Sequence, residues 1–419
     1  MHICLLTLEW PPCGGGIGTY MFNLARGLVS AGHRVTTITH DRDPVACPGV
    51  RVQQVPLPDT GRGLASRMKR GAGRLLQGIR HPWSWKAYES FRNVLSAEPV
   101  DVVETAEFGA WGWHFLQNAR VPLVVRCHCP TCVVWAVNHD MAGRCPKPSY
   151  LRKQEWLERE QTRSAGGIVC PSQALAYHLS LTWLIPLSRF SVIPNPIDAE
   201  LFCPGDGQAR SKEILYVGRL EYNKGVYDLA EAVTPVLEEH RDVRVRFVGK
   251  DFPKPQWIAR EGETAVDAIR SIVPKAFHDR LLFTPHLPVT EIVALHRKAL
   301  CAVVPTRGFE NFPYTVLEAM ACGNPVIATR CGGPDEIITH DVDGLLVPAG
   351  RPPLLTDAIR RLVSEPESRR RLSVQGRLTI ERRFSTSVVL PRIVEQYAET
   401  IRRFKDRQAN GRERTVSEG

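Results

Sequence analysis

Glu213-Ile214-Leu215-Tyr216-Val217-Gly218-Arg219-Leu220-Glu221-Tyr222-Asn223-Lys224-Gly225 stands near the middle of a 419-residue chain. A short β-branched and aromatic run stops at Gly218, and apolar residues at helical spacing resume around 226–233. Strand, glycine loop and helix in that order begin a βαβ series. Toward the C-terminus the series continues through strand segments at 243–248, 281–283, 302–305 and 326–328. Toward the N-terminus there is an earlier one. Residues 2–8 read as a buried strand. Met21, Leu24, Ala25, Leu28 and Val29 then recur at helical spacing, and Gly32 stops the helix. Further strands are expected at 34–39, 102–104, 123–125 and 167–170.

Two such series predict an α/β protein of two Rossmann-like, doubly wound parallel sheets. Pro194-Asn195-Pro196 through Pro204-Gly205 separates them. The expected division is a first domain at 1–195, a linker at 196–210 and a second domain at 211–387. A last long helix at 388–404 follows, then a polar tail at 405–419 that is expected to fray. Open α/β sheets bind ligands at the carboxyl ends of their strands. Two such edges facing a cleft would hold two substrates and exclude water, which suits group transfer.

Composition agrees with a soluble globular protein: 43% hydrophobic and 23% charged residues support large cores. The apolar start, residues 1–8, is short and meets Pro11-Pro12, so no signal peptide is expected. No stretch approaches the roughly 20 apolar residues of a spanning helix. A cytoplasmic location is expected. The twelve cysteines are scattered, several inside apolar runs, and read as free thiols. Cys127, Cys129 and Cys132, with His128, His139 and Cys145 nearby, lack the second spaced pair of a zinc site, so no metal is expected. The formal net charge of +10 favours anionic partners, but no nucleic-acid motif accompanies it.

Gly14-Gly15-Gly16-Ile17-Gly18 lies between the first strand and the first helix. Glycines there let backbone N–H groups approach an anion or a hydroxyl-rich ligand. Thr19 breaks the dinucleotide fingerprint, and no Lys-Ser/Thr ending makes a P-loop. A tight turn with no ligand is the plainer alternative. In the second half, Arg219 and Lys224 flank a glycine-bounded loop. One offers a planar fork of donors and the other a point charge, together able to clamp a diphosphate. The alternative is two solvated surface charges. In 309–323, Pro313 suits the first turn of a helix and Gly323 its end. Glu310 then precedes the helix, Glu318 sits on its second turn, and the free N–H groups lie between the carboxylates. One carboxylate would serve sugar hydroxyls, one ribose hydroxyls, and the N–H groups phosphates. A buried structural acid is the other reading of Glu318. Glu104 and Glu107, at the carboxyl end of a first-domain strand, face an acceptor or stand in a solvated loop.

Glu310-x7-Glu318 followed by Ala319-Met320-Ala321-Cys322-Gly323-Asn324-Pro325-Val326-Ile327-Ala328 resembles the retaining glycosyltransferases of family 4. Gly332-Gly333-Pro334-Asp335-Glu336, Gly344-Leu345-Leu346-Val347, the Gly218-to-Gly225 loop, Gly15-Gly16-Ile17-Gly18 and Val192-Ile193-Pro194-Asn195-Pro196-Ile197-Asp198 extend the resemblance over nearly the whole chain. It implies the GT-B fold, with the acceptor held by the first domain, the nucleotide-sugar donor by the second, and the last helix packed back on the first. It implies transfer with retention from a UDP-, GDP- or ADP-linked sugar to a hydroxyl acceptor, such as a lipid-linked or polysaccharide precursor, without metal or other cofactor. Arg219 and Lys224 would grip the diphosphate, Glu310 the transferred sugar, and Glu318 the ribose. Asn311, Phe312, Pro313, Tyr314 and Thr315 would offer backbone groups to sugar and phosphates. Gly16 would lie under the phosphates, and His128 would contact the sugar near the reacting carbon. A packed or metal-bound histidine is the alternative there. A GT-B epimerase or phosphorylase and a non-catalytic nucleotide-sugar-binding protein are the competing functions.

From 62 to 80, Leu64, Met68, Ala72, Leu75, Leu76 and Ile79 share one helical face, and basic residues fall largely on the other. Such a helix packs on the sheet, or docks on an anionic membrane surface.

Overall fold

The computed structural model describes residues 1–11, 15–40, 44–57, 82–118, 120–139, 149–205, 211–252 and 263–417. The basic segment 62–80 lies outside them. The chain divides into two compact units: Met1–Pro196 with Val389–Gly419, and Ile197–Val388.

The first unit holds seven strands: β1 His2–Thr7, β2 Arg34–Thr39, β3 Val50–Gln54, β4 Val102–Ala106, β5 Leu123–Arg126, β6 Gly167–Cys170 and β7 Phe190–Val192. They are parallel, in the order β3-β2-β1-β4-β5-β6-β7. All six residues of β1 are buried, as expected for a parallel strand covered on both faces. The order reverses between β1 and β4, the switch point where such sheets place ligands. Leu5 of β1 pairs with Thr37 on one side and Glu104 on the other.

The second unit has β8 Glu213–Val217, β9 Arg244–Val248, β10 Leu281–Thr284, β11 Cys301–Val304, β12 Val326–Arg330 and β13 Leu345–Pro348. These are also parallel, in the order β10-β9-β8-β11-β12-β13. Alternation along each strand feeds two cores. Ile327 and Val303 pack with the helix Val226–Glu239 on one face. Val326, Ala328 and Ala302 pack with the helix Tyr314–Ala321 on the other. Each fully buried Ile or Leu here contributes about 1.5–3 kcal/mol.

Several local expectations change. β3, β7 and β13 were not foreseen. Pro313 caps the helix Tyr314–Ala321 instead of entering its first turn. A bridge between Glu310 and Gly332 keeps the preceding chain extended, and Pro313 itself has ψ 120°. The last helix runs over Thr386–Ser417, so the expected frayed tail from 405 is helical to 417. Arg402 and Arg403 pair with Glu399 along it, and half of the residues beyond them in the helix are good helix formers. Within the first unit, Tyr397 of this helix is fully buried and donates to Glu104 Oε2 at 2.5 Å. Among the described residues, no helix is long and apolar enough to cross a membrane.

Candidate functional site

In the second unit the loops after β8, β11 and β12 are tied to one another through their backbones. Arg307 N–H donates to Asn223 O at 2.9 Å, Glu310 N–H to Cys331 O at 2.9 Å, and Gly333 N–H to Glu310 O at 2.7 Å. Close approach makes the glycines necessary. Gly225 has φ +71°, and a Cβ there would stand 1.8 Å from Pro305 O. A Cβ on Gly333 would stand 1.7 Å from Asn311 O. The turn Tyr222–Lys224 therefore rests directly on the loop that carries Glu310.

On this frame the Lys224 ammonium donates to Glu310 Oε2, both side chains being part-buried. Arg219 lies on the same edge but turns to Glu221, at 3.0 Å, and is 57% exposed. Its carbonyl accepts from Tyr216 Oη at 2.6 Å, which fixes the loop's first residue. The Glu318 carboxyl makes no hydrogen bond or ion pair with any described residue, and burial pushes it up to about 7. The four charged side chains expected to act together are thus one joined pair, one neighbouring cation, and one separate acid. No side chain caps the helix Tyr314–Ala321, so its N-terminus can present backbone N–H groups. Asn311 and Phe312 are buried, Phe312 edge-on to Phe384 with centroids 5.6 Å apart.

Arg307 was not anticipated. Its Nε lies 3.2 Å from Asp228 Oδ2, and its guanidinium covers the Tyr222 ring at 4.6 Å. It braces the turn from which Lys224 projects. Burial raises Asp228 to about 6 even though Arg307 opposes the shift. Nothing in local spacing marks this pair.

In the first unit, the sequence-predicted residues lie where β4 and β5 end. His128 N–H donates to Glu107 Oε2 at 2.7 Å, and its ring meets the Tyr20 ring edge-on at 5.1 Å. Burial, and then the Arg126 charge, depress His128 to about 3, so its imidazole stays neutral. Glu107 is fully buried, and burial lifts its carboxyl to about 8. Glu104 corrects the expectation that it faces an acceptor or a solvated loop. It is wholly inside the fold, accepting from Tyr20 Oη at 2.8 Å and from Tyr397 Oη, with Arg126 Nε 3.7 Å away. A carboxylate left on a strand covered on both faces must find such partners.

Arg126, Tyr20 and Glu158 escaped the sequence reading. Arg126 is fully buried, stacks at 4.5 Å on the Tyr20 ring, and donates to Ile193 O at 3.0 Å. At the glycine loop, a Cβ on Gly16 would meet nothing within 4 Å, so that residue stands open. Gly18 N–H donates to Glu9 Oε2 at 3.2 Å, so this chain supplies one carboxylate of its own at the helix N-terminus. Gly14 and Cys145 lie outside the described residues. Among the described residues, no three His, Cys, Asp or Glu side chains are grouped to hold a metal ion.

Comparison with known proteins places this geometry. The family described as Glycosyltransferase Family 4 matches residues 14–201, and that described as Glycosyl transferases group 1 matches 206–379. A D-inositol 3-phosphate glycosyltransferase from Xylanimonas cellulosilytica is 27% identical over 94% of this chain and 95% of its own length. An MMP alpha-(1->4)-mannosyltransferase from Mycolicibacterium hassiacum is 27% identical over 96% of this chain and 99% of its own. Among solved structures, sucrose-phosphate synthase from Thermosynechococcus elongatus superposes with a TM-score of 0.73 at 20% identity, covering 95% of this chain and 98% of that one. Anabaena Alr3699/HepE, solved in complex with UDP-glucose, superposes with a TM-score of 0.70 at 17% identity, covering 95% and 99%. With two doubly wound sheets, matched family sequence on both, and relatives aligned over almost their full length, this chain belongs to the family 4 glycosyltransferases and has the GT-B fold.

Proposed function

We propose that this glycosyltransferase moves a sugar from a nucleotide-diphosphate sugar to a hydroxyl acceptor, with retention at the anomeric carbon and without a metal ion. The observation that carries the reading is the Lys224–Glu310 contact, at the carboxyl edge of β8 and β11 and beside an uncapped helix N-terminus. With donor bound, the ammonium is shared between that carboxylate and the departing diphosphate. Arg219 is exposed enough to swing from Glu221 to the same phosphates. The two basic groups and the helix N-terminus thereby take the charge role a metal would otherwise fill. Glu310 holds hydroxyls of the transferred sugar, Glu318 those of the ribose, and backbone groups from Asn311 to Thr315 the sugar and phosphates. Gly16 leaves room for a phosphate in the first unit, and His128 meets the sugar as a neutral hydrogen-bonding group. The names of the two relatives and the UDP-glucose held by Alr3699/HepE support a donor of this class. A lipid-linked or polysaccharide precursor is the acceptor class we favour, with the protein working at the cytoplasmic face of a membrane.

A thermal-shift panel of UDP, GDP, ADP and their sugars tests the donor. One nucleotide should raise the melting temperature in proportion to the logarithm of its concentration. The matching sugar nucleotide, incubated with candidate acceptors in excess chelator, should then yield an α-linked product by NMR if the donor is α-linked. No stabilisation by any of the three nucleotides refutes the donor site; binding without turnover favours a non-catalytic binder; inversion or chelator sensitivity removes those parts of the reading.

A further inference from the structure

The turn Cys127–Pro130, which carries His128, is held from below by two acids distant in sequence. Glu107 Oε2 accepts from His128 N–H at 2.7 Å. Glu158, on the helix Ser149–Ser164, accepts from Thr131 N–H at 2.9 Å, Thr131 Oγ1 at 2.6 Å and Gly109 N–H at 2.9 Å. Gln161, one turn further along, accepts from Gly112 N–H at 2.7 Å and donates to Ala106 O at 3.1 Å. All three side chains are fully buried. One helix thus grips the loops after both β4 and β5, and Glu107 fastens those two loops to each other.

The two carboxyls are not used alike. Glu158 has both oxygens occupied. Glu107 spends one on His128 and keeps Oε1 buried without a hydrogen-bond partner among the described residues. A carboxyl so enclosed is costly, and an apolar side chain would fill the same space at lower cost. The expense is understandable if the backbone of His128 must be fixed. We infer that Glu107 is a positioning residue for sugar transfer, setting the place of His128 through its backbone N–H, with Glu158 anchoring the far end of the same turn. This rests on the role proposed above for His128.

The groups facing Glu107 define its protonation. Glu158 opposes its ionisation from the helix side, Cys127 faces it from the end of β5, and the His128 imidazole is neutral. Burial therefore holds the carboxyl neutral up to about pH 8. Above that pH the buried charge loosens the turn, and turnover should fall with it.

The test uses the full chain, the donor found in the thermal-shift panel, and the variants H128A, E107A, E107A/H128A and E107Q. H128A should lower kcat on the order of a hundredfold, as loss of a transition-state contact does. E107A should lower kcat on the order of tenfold with donor KM within about threefold, and the double variant should match H128A alone, because a residue acting through another adds nothing once that one is gone. E107Q keeps the acceptor for His128 N–H. It should restore kcat to within about threefold and abolish the fall above pH 8. Multiplying losses in the double variant overturn the positioning role and leave the transfer reading standing. Unchanged kcat in H128A sinks both. If E107A does not fold, E107Q decides: an alkaline limb identical to that of the native protein refutes the proposal.

Discussion

The acids at the ends of the two sheets stand in opposite surroundings. In the second unit Glu310 is part-buried and faces the Lys224 ammonium, to which it is joined by an ion pair. In the first unit Glu107 is enclosed, has no ion-pair partner among the described residues, and is held neutral by burial up to about pH 8. Burial and the presence of a cation, not the residue type, decide which state an acid takes. The difference fits the work proposed for each edge. One must meet a diphosphate and needs mobile charge near solvent. The other must hold a neutral imidazole in place and needs rigidity without charge.

The comparison breaks first at Lys224. Replacing it with Met removes the cation from the Glu310 edge. Turnover should fall about 10²–10³-fold, measured with the donor at saturation, since charge on the leaving group is then unopposed. A loss below fivefold would mean that the ion pair is only structural. The next largest effect is on folding. Arg126→Met leaves Glu104 buried with two tyrosine donors and no cation, and should cost about 3–5 kcal/mol, with part of it recovered in Arg126→Met/Glu104→Gln. Eight of the nine tryptophans lie in the first unit, so denaturation followed by tryptophan fluorescence reports this unit directly. Equal destabilisation of the single and double variants would show that Glu104 does not depend on Arg126.

The smallest effect sharpens the comparison inside the second unit. Glu318 has no cation and should behave like Glu107. Its folded pKa, about 7, lies above that of the unfolded chain, so the folded state binds the extra proton. Stability should therefore be greatest below about pH 4.5 for this group and decline as pH rises through 7. Glu318→Gln should remove that slope and stabilise the protein at pH 8 by about 1–3 kcal/mol, while weakening nucleotide binding. A pH-stability curve indistinguishable from that of the unaltered chain would rule this out.

Legibility followed the same division. In the second unit the loop charges sit in contiguous segments bounded by glycines, so spacing singled out Arg219, Lys224, Glu310 and Glu318, of which the fold joins Lys224 to Glu310. Strands with buried centres, such as β8 and β12, show as short apolar runs in the sequence. β3 did not, because Val50–Gln54 is a half-exposed edge strand carrying Arg51, Gln53 and Gln54. β7 has only three residues, too few for a period to show. In the first unit, Glu104 was misread because its partners are remote. Tyr397 is 293 positions away, and no local pattern announces it. Glu158 and Arg126 were missed for the same reason: their meaning lies in tertiary contacts.

The Tyr397–Glu104 hydrogen bond also has a bearing on how the protein is made. The second unit is continuous from Ile197 to Val388, and can fold as soon as it has emerged from the ribosome. The first unit, although translated earlier, has to wait with an acid in its central sheet lacking one of its donors until a helix from beyond the second unit arrives. Strands synthesised ahead of the second unit are thus completed after it, and a chain stalled before Tyr397 would present the cell with a finished second unit and an unfinished first.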